Sequence, residues 1–204
     1  MSELPQSASH EPEKVPIELN RRLISTRLGS TTRLMEYYDR NRQARIIAIP
    51  RSSDELRQHE ILSKTQMPLF SSEYDSEGNC LLYIPAGTRT IRQSLKFISR
   101  DIKSYGSIFY QLGQMIRQAH DYGFGMLASS TERTILDGVA FSLDDSVEYG
   151  GAIHLVPPYS FDQVTSFERE LDALNTELVD SQYFSGEEPD RLLEMTRVGY
   201  ENVL

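Results

Sequence analysis

Asp144 and Asp145 follow a strand-like run, Val139 to Leu143, and Glu148 stands three residues further on. Carboxylate oxygens grouped this closely suit a hard cation such as Mg2+. As a general acid/base pair, Asp144 and Asp145 would also need an enclosing pocket. The same cluster reads more readily as a solvated acidic turn, since such clusters are common in loops. A second feature lies at the end of another strand-like run, Ala44 to Ile49, which stops at Pro50. Proline offers neither a side-chain charge nor a backbone N–H. Arg51 is adjacent, but one step along a strand points a side chain to the opposite face. It could take up a role at this strand end only if the strand stops or bulges there.

Other reactive chemistry has little support. The four histidines, His10, His59, His120 and His154, form no metal-ligand pair at helix or turn spacing. His59-Glu60 lacks the second histidine of H-E-x-x-H, because Ser63 stands in its place. No G-x-S-x-G occurs, so a hydrolase serine elbow is absent. Cys80, the single cysteine, lies in Asn79-Cys80-Leu81-Leu82-Tyr83 and is expected to be a buried small apolar residue. With one cysteine no internal disulfide can form, which fits a reducing, cytoplasmic setting.

The chain has 204 residues, enough for one ordinary domain or two small lobes. A 39% hydrophobic and 25% charged composition is that of a soluble globular protein. The net charge of -9 repels phosphate backbones and argues against general nucleic-acid binding. Arginines gather early, from Arg21 to Arg57, and could face an acidic partner or simply solvent. No apolar run is long enough to span a membrane. Residues 1–16 are polar, carry three prolines and lack the apolar core of a signal peptide, so a disordered tail is expected there.

The elements that would position these residues follow from periodicity. Leu23 to Leu28, Arg33 to Tyr38 and Ala44 to Ile49 read as three antiparallel strands. A short helix follows, with Ser52 as cap and Glu55 closing a capping box. Leu56 and Glu60, four apart, are placed on one face of it. Leu69 to Tyr74 and Cys80 to Ile84 read as a hairpin around the loop 75–79. After Pro85-Ala86-Gly87 the period changes to that of helices. Helices are expected over 91–98 and from about Ser104 to Tyr122, the latter on the stripe Ile108, Phe109, Leu112, Met115, Ile116 and Ala119, with Gly123 as its C-terminal cap. Arg133 to Leu136 and Val139 to Leu143 read as two short strands around Asp137-Gly138. Gly150 to Tyr159 reads as a buried strand leaving through a Pro-Pro turn; it could instead present Tyr159 and Phe161 to a partner. Two closing helices carry Val164, Phe167, Leu171, Leu174 and Leu178, then Leu192, Leu193, Thr196, Tyr200 and Val203, the second opened by Pro189. The class is α+β, strands first and helices after.

This order resembles a protein-kinase-like fold of the compact kind that includes aminoglycoside phosphotransferases. The resemblance covers roughly Leu23 to Leu204 and rests on order and spacing. It implies a five-stranded antiparallel small lobe over residues 17–85 and a reduced, mostly helical large lobe over 86–204. Ile47-Ala48-Ile49-Pro50 resembles V-A-I-K with the lysine replaced. Glu60 or Glu55 would match the helix glutamate that pairs with that lysine. Leu82 to Gly87 looks like the hinge, which implies adenine contacts at the Ile84 and Ala86 backbones. The stretch from Arg117 to Gly125 looks like the helix end before the catalytic loop, with His120 and Gly123 in register. The aspartate expected next is missing from Gly125 to Ser130, as is the metal-binding asparagine from Thr131 to Thr134. Gly29 stands alone where a glycine-rich loop is usual. Asp144 matches the metal-binding aspartate, so a vestigial nucleotide cleft would comprise Ile84, Ala86 and Asp144.

Joint loss of lysine, aspartate and asparagine removes the groups that position ATP, metal and nucleophile. The chain is therefore read as a pseudokinase, a catalytically inactive module that binds a protein partner. No catalytic residue and no obligatory cofactor is expected. The alternative is an atypical phosphotransferase or nucleotide sensor using the hinge, Asp144, ATP and Mg2+. A second alternative is an unrelated α+β interaction protein. The cleft between Pro50, Glu60, Ala86 and Asp144 is expected to be narrowed by apolar or bulky groups.

Overall fold

The computed structural model describes residues 22–26, 33–39, 44–126, 134–142, 152–157, 159, 162–163 and 166–202. The expected tail over 1–16, the turn around Gly29, the loop from Leu127 to Arg133, Asp144, Asp145, Glu148, Phe161 and Val164 lie outside the described residues.

The chain is α+β. Strands β1 (Arg22–Thr26), β2 (Arg33–Asp39) and β3 (Ala44–Ile49) form the expected antiparallel meander. They join β4 (Ser72–Tyr74) and β5 (Cys80–Pro85) in a five-stranded sheet of order β1-β2-β3-β5-β4. On β3, Ile47 and Ile49 share the face that enters the main core, while Ile46 is buried on the other face. Alternation alone produces this split, because successive strand residues point to opposite sides.

Between β3 and β4 lies helix α1 (Asp54–Leu62). Its cap is Ser53, one residue later than expected: Ser53 Oγ accepts from Leu56 N at 3.1 Å. Its buried face is Glu55, Leu56, His59 and Leu62, and Glu60 is exposed. The i, i+1, i+4, i+7 set turns Glu60 away from Leu56, so the two do not share an environment. The expected strand from Leu69 is shorter. It begins at Ser72, and Leu69 instead bridges in parallel to Leu155. The 75–79 loop closes as expected, with Asp75 Oδ1 accepting from Glu77 N and Asn79 N.

After β5 the chain turns at Ala86-Gly87 into β6 (Thr88–Thr90). Helix α2 (Ile91–Ile98) starts at a complete capping box between Thr90 and Gln93. Helix α3 (Ile102–Asp121) buries the whole predicted stripe, every member at 0–1% exposure. It ends at Gly123, whose φ of +82° suits glycine. A two-residue strand β7 (Phe124–Gly125) follows.

The strand expected at Arg133–Leu136 is instead a helical turn, α4 (Ile135–Gly138). Asp137-Gly138 therefore sits inside that turn and is not a hairpin corner. Strands β8 (Val139–Ser142) and β9 (Ile153–Leu155) pair with β6 in a three-stranded antiparallel sheet, ordered β6-β8-β9. Strand β10 (Asp162–Gln163) pairs with β7. Two helices close the chain, α5 (Phe167–Asp180) and α6 (Glu188–Glu201).

Helices α3 and α6 pack at a glycine contact. A Cβ on Gly113 would lie 2.7 Å from Tyr200 N, and one on Gly199 would lie 2.8 Å from the Tyr110 carbonyl carbon. Only hydrogen at these positions lets the two backbones come so close. One buried cluster runs from β3 and β5 through α2 and α3 to β8, β9 and α5. Cys80 is fully buried in it, as expected. Among the described residues, no helix is long and apolar enough to cross a membrane.

Candidate functional site

The inner face of α1 carries two polar groups into the interior. Glu55 is 1% exposed and His59 is 2% exposed. Both meet Tyr159, itself 2% exposed and about a hundred residues away in sequence. Tyr159 N donates to Glu55 Oε2 at 2.9 Å, and Tyr159 OH shares a 2.9 Å hydrogen bond with His59 Nδ1. His59 Nε2 reaches Ser72 Oγ on β4 at 3.3 Å. Burial holds the His59 imidazole below its ordinary value of 6.5, and the charge of Glu60 offsets part of that. In the neutral ring one nitrogen donates and the other accepts, so the two hydroxyls suit it from either side.

Pro50 shapes the start of this site. Its carbonyl accepts from Ser53 N at 3.0 Å and from Ser53 Oγ at 2.7 Å, which turns the chain from β3 into α1. Arg51 is exposed, and its backbone N donates to Asn79 Oδ1. Its side chain runs beside Gly78, with Cδ 3.0 Å from where a Cβ would stand there. The guanidinium stem thus follows the β4–β5 hairpin, and Glu55 takes a backbone N–H as a partner. Arg45, on the core face of β3, reaches the Thr88 carbonyl at 2.9 Å and ties the first sheet to β6.

Of the three residues assigned to a nucleotide cleft, Ile84 is a core side chain at 1% exposure, paired in the ladder with Arg45. Ala86 is exposed on the turn before β6. Asp144 lies outside the described residues. Pro85 between the first two has no N–H, so any hinge donors there would be Ile84 and Ala86. Among the described residues, no group of three or more His, Cys, Asp or Glu side chains is placed to hold a metal.

Two further buried polar clusters went unread in the sequence. His120, at the end of α3, has Nε2 2.7 Å from Glu170 Oε2 and Nδ1 2.9 Å from Tyr200 OH. Glu170 is fully buried, and its other oxygen accepts from Met126 N at 2.6 Å. Tyr200 stacks on Phe167 at 3.7 Å between centroids, and burial raises its phenol. This cluster joins α3, α5 and α6 to the Met126 backbone.

In the other cluster, Arg92 on α2 donates through Nε to Asp137 and through Nη2 to Glu177 and Thr134, each at 3.0 Å. Glu177 also accepts from Ile135 N at 3.1 Å, at the open end of α4. Burial raises the Glu177 carboxyl, while Thr134 and Arg92 pull against that rise.

A signal for these clusters did exist. On α5, Glu170 and Glu177 are seven apart and fall in the same stripe as Leu171, Leu174 and Leu178. An acid at a stripe position demands a buried partner. The partners could not be read, because they come from α2, α3 and α4.

In the first cluster Glu55, His59 and Tyr159 are each at most 2% exposed, and in the Glu170 group both imidazole nitrogens of His120 are engaged. The chemistry of the three clusters is that of joints: each satisfies buried donors and acceptors across separate elements. No protein-family model matches the chain, and no curated protein matches it significantly in sequence.

Proposed function

We propose that this chain is a catalytically inactive kinase-like module whose role is to bind a protein partner. The observation that carries the reading is the pairing of Glu55. In a kinase-like arrangement the carboxylate on the helix after the third strand meets a lysine from that strand. Here the strand ends at Pro50 and Glu55 accepts from Tyr159 N. Arg51, the cation next to Pro50, lies along the hairpin. The position that would grip phosphate is thus occupied by Pro50, and the carboxylate is already engaged by backbone.

Further support comes from a five-stranded antiparallel sheet with one helix after its third strand, and from the chain's passage through Ala86-Gly87 into a helix-rich remainder. The absence of an aspartate from Gly125 to Ser130 removes the expected proton acceptor. Tyr159, 2% exposed, packs against the inner face of α1.

The test is incubation with labelled ATP, Mg2+ or Mn2+ and a broad acceptor set, alongside thermal unfolding with nucleotide. The expected result is no phosphoryl transfer and no metal-dependent rise in Tm at millimolar ATP. Robust turnover that vanishes in Asp144→Ala would refute the proposal. A metal-dependent rise without turnover would move the reading to a nucleotide sensor, since a ligand of the native state stabilises it by mass action.

A further inference from the structure

The segment carrying β9 and Tyr159 has two sides. On one it is a strand of the β6-β8-β9 sheet, with Val156 N bonded to the Gly138 carbonyl and Ile153 N to Gln111 Oε1. On the other it docks on the first sheet's connections. Leu155 N donates to the Pro68 carbonyl at 2.9 Å, Leu155 bridges Leu69, and the His154 ring stacks on Phe70 with centroids 4.5 Å apart. Tyr159 completes this side through Glu55 and His59. Two of the chain's four histidines therefore sit in one docking contact, one from each partner.

We propose that residues 152–157 together with Tyr159 form a strap that undocks from α1 and from residues 67–70 on acidification, with His59 and His154 as the proton acceptors. Undocking leaves the β8–β9 pairing intact, withdraws Tyr159 from Glu55 and exposes the inner face of α1. Both imidazoles are held below 6.5 by burial; for His154 a hydrogen bond involving the Ala152 backbone opposes the shift in part, and for His59 the charge of Glu60 does so. The groups facing His59 are Glu55 and Glu60 on α1, Ser72 on β4 and Tyr159 on the strap. Those facing His154 are Phe70 and the Ala152 backbone.

The sign follows from linkage. A base whose pKa is lowered in the docked state binds protons more readily once undocked. Docking is therefore fully favoured above 6.5 and weakens as pH falls from 6.5 toward the docked-state values. Each histidine can raise the undocked fraction by at most about tenfold per pH unit in that window, so the pair by at most about a hundredfold.

The test is amide hydrogen exchange on the full chain at about pH 7.5 and about pH 5.5, corrected for intrinsic rates. Leu155 and Tyr159, whose amides donate across the docking contact, should lose protection on acidification by roughly threefold or more, while Val156, bonded to the Gly138 carbonyl, and residues 108–119 of α3 hold theirs. His59→Gln/His154→Gln keeps hydrogen-bonding side chains without the titration, and should flatten the pH dependence. Equal protection at both pH values, or an unchanged pH dependence in the double variant, would overturn the proposal. So would histidine NMR titrations placing both imidazoles at or above 6.5.

Discussion

Replacing Gly113 with alanine puts a methyl group into the backbone of the facing helix. The new Cβ would stand 2.7 Å from Tyr200 N and closer still to the Thr196 carbonyl oxygen. Ordinary contact begins at 3.4 Å, so α6 must retreat by at least 0.7 Å (3.4 minus 2.7) at this point. No rotamer change can absorb that, because the obstacle is main chain. Gly199→Ala meets the Tyr110 carbonyl group from the opposite side and should behave alike. In an exposed helix the same change would stabilise by roughly 1 kcal/mol. Against that gain stand an overpacking cost of about 1–3 kcal/mol or more and the contacts that α6 loses as it moves, including Leu192, which is fully buried.

The expected net loss is about 2 kcal/mol for each variant. The double variant should cost less than the sum, because one displacement of α6 relieves both clashes. Gly138→Ala is the matched control: nothing lies within 4 Å of its Cβ, so it should be neutral or slightly stabilising. Urea unfolding at equilibrium measures all four. Stability unchanged or raised in Gly113→Ala and Gly199→Ala would refute the close approach of α3 and α6.

The other two buried joints make separate predictions. Glu170→Ala should cost about 3 kcal/mol or more, because it strips buried partners from His120 and Met126 N; a loss under about 1 kcal/mol would show these groups find water instead. Arg92→Met should cost about 1–3 kcal/mol at neutral pH. That cost should shrink as pH falls toward the ordinary carboxyl value of 4.5, where Glu177 no longer needs a cation. An equal cost at both pH values, by urea unfolding, would contradict the role given to the guanidinium.

Elements whose pattern is local were legible in the residues. The α3 stripe, the α2 boundaries, β3 and its stop at Pro50, and the burial of Cys80 follow from periodicity and from proline's missing N–H. Errors came where two local signals compete. Ser52 and Ser53 can both cap, and the bond to Leu56 N selects Ser53. Asp137-Gly138 suits a hairpin, yet Glu177 caps Ile135 N from a distant helix and the segment turns helical. Glu55 and Glu60 lie on one short helix, and the packing of Tyr159 buries Glu55 while Glu60 stays exposed.

The sequence by itself thus determined the α+β class, most element boundaries and the end of β3 at Pro50. These depend on side-chain period and backbone capacity, which each residue carries with it. Only the tertiary structure decided that Glu55, Glu170 and Glu177 are interior, and with which partners. A buried acid is tolerable only once donors arrive from elements 50 to 104 residues away in the chain. No local pattern records that arrival, so the joints, and the strap that closes on α1, emerge only from the folded chain.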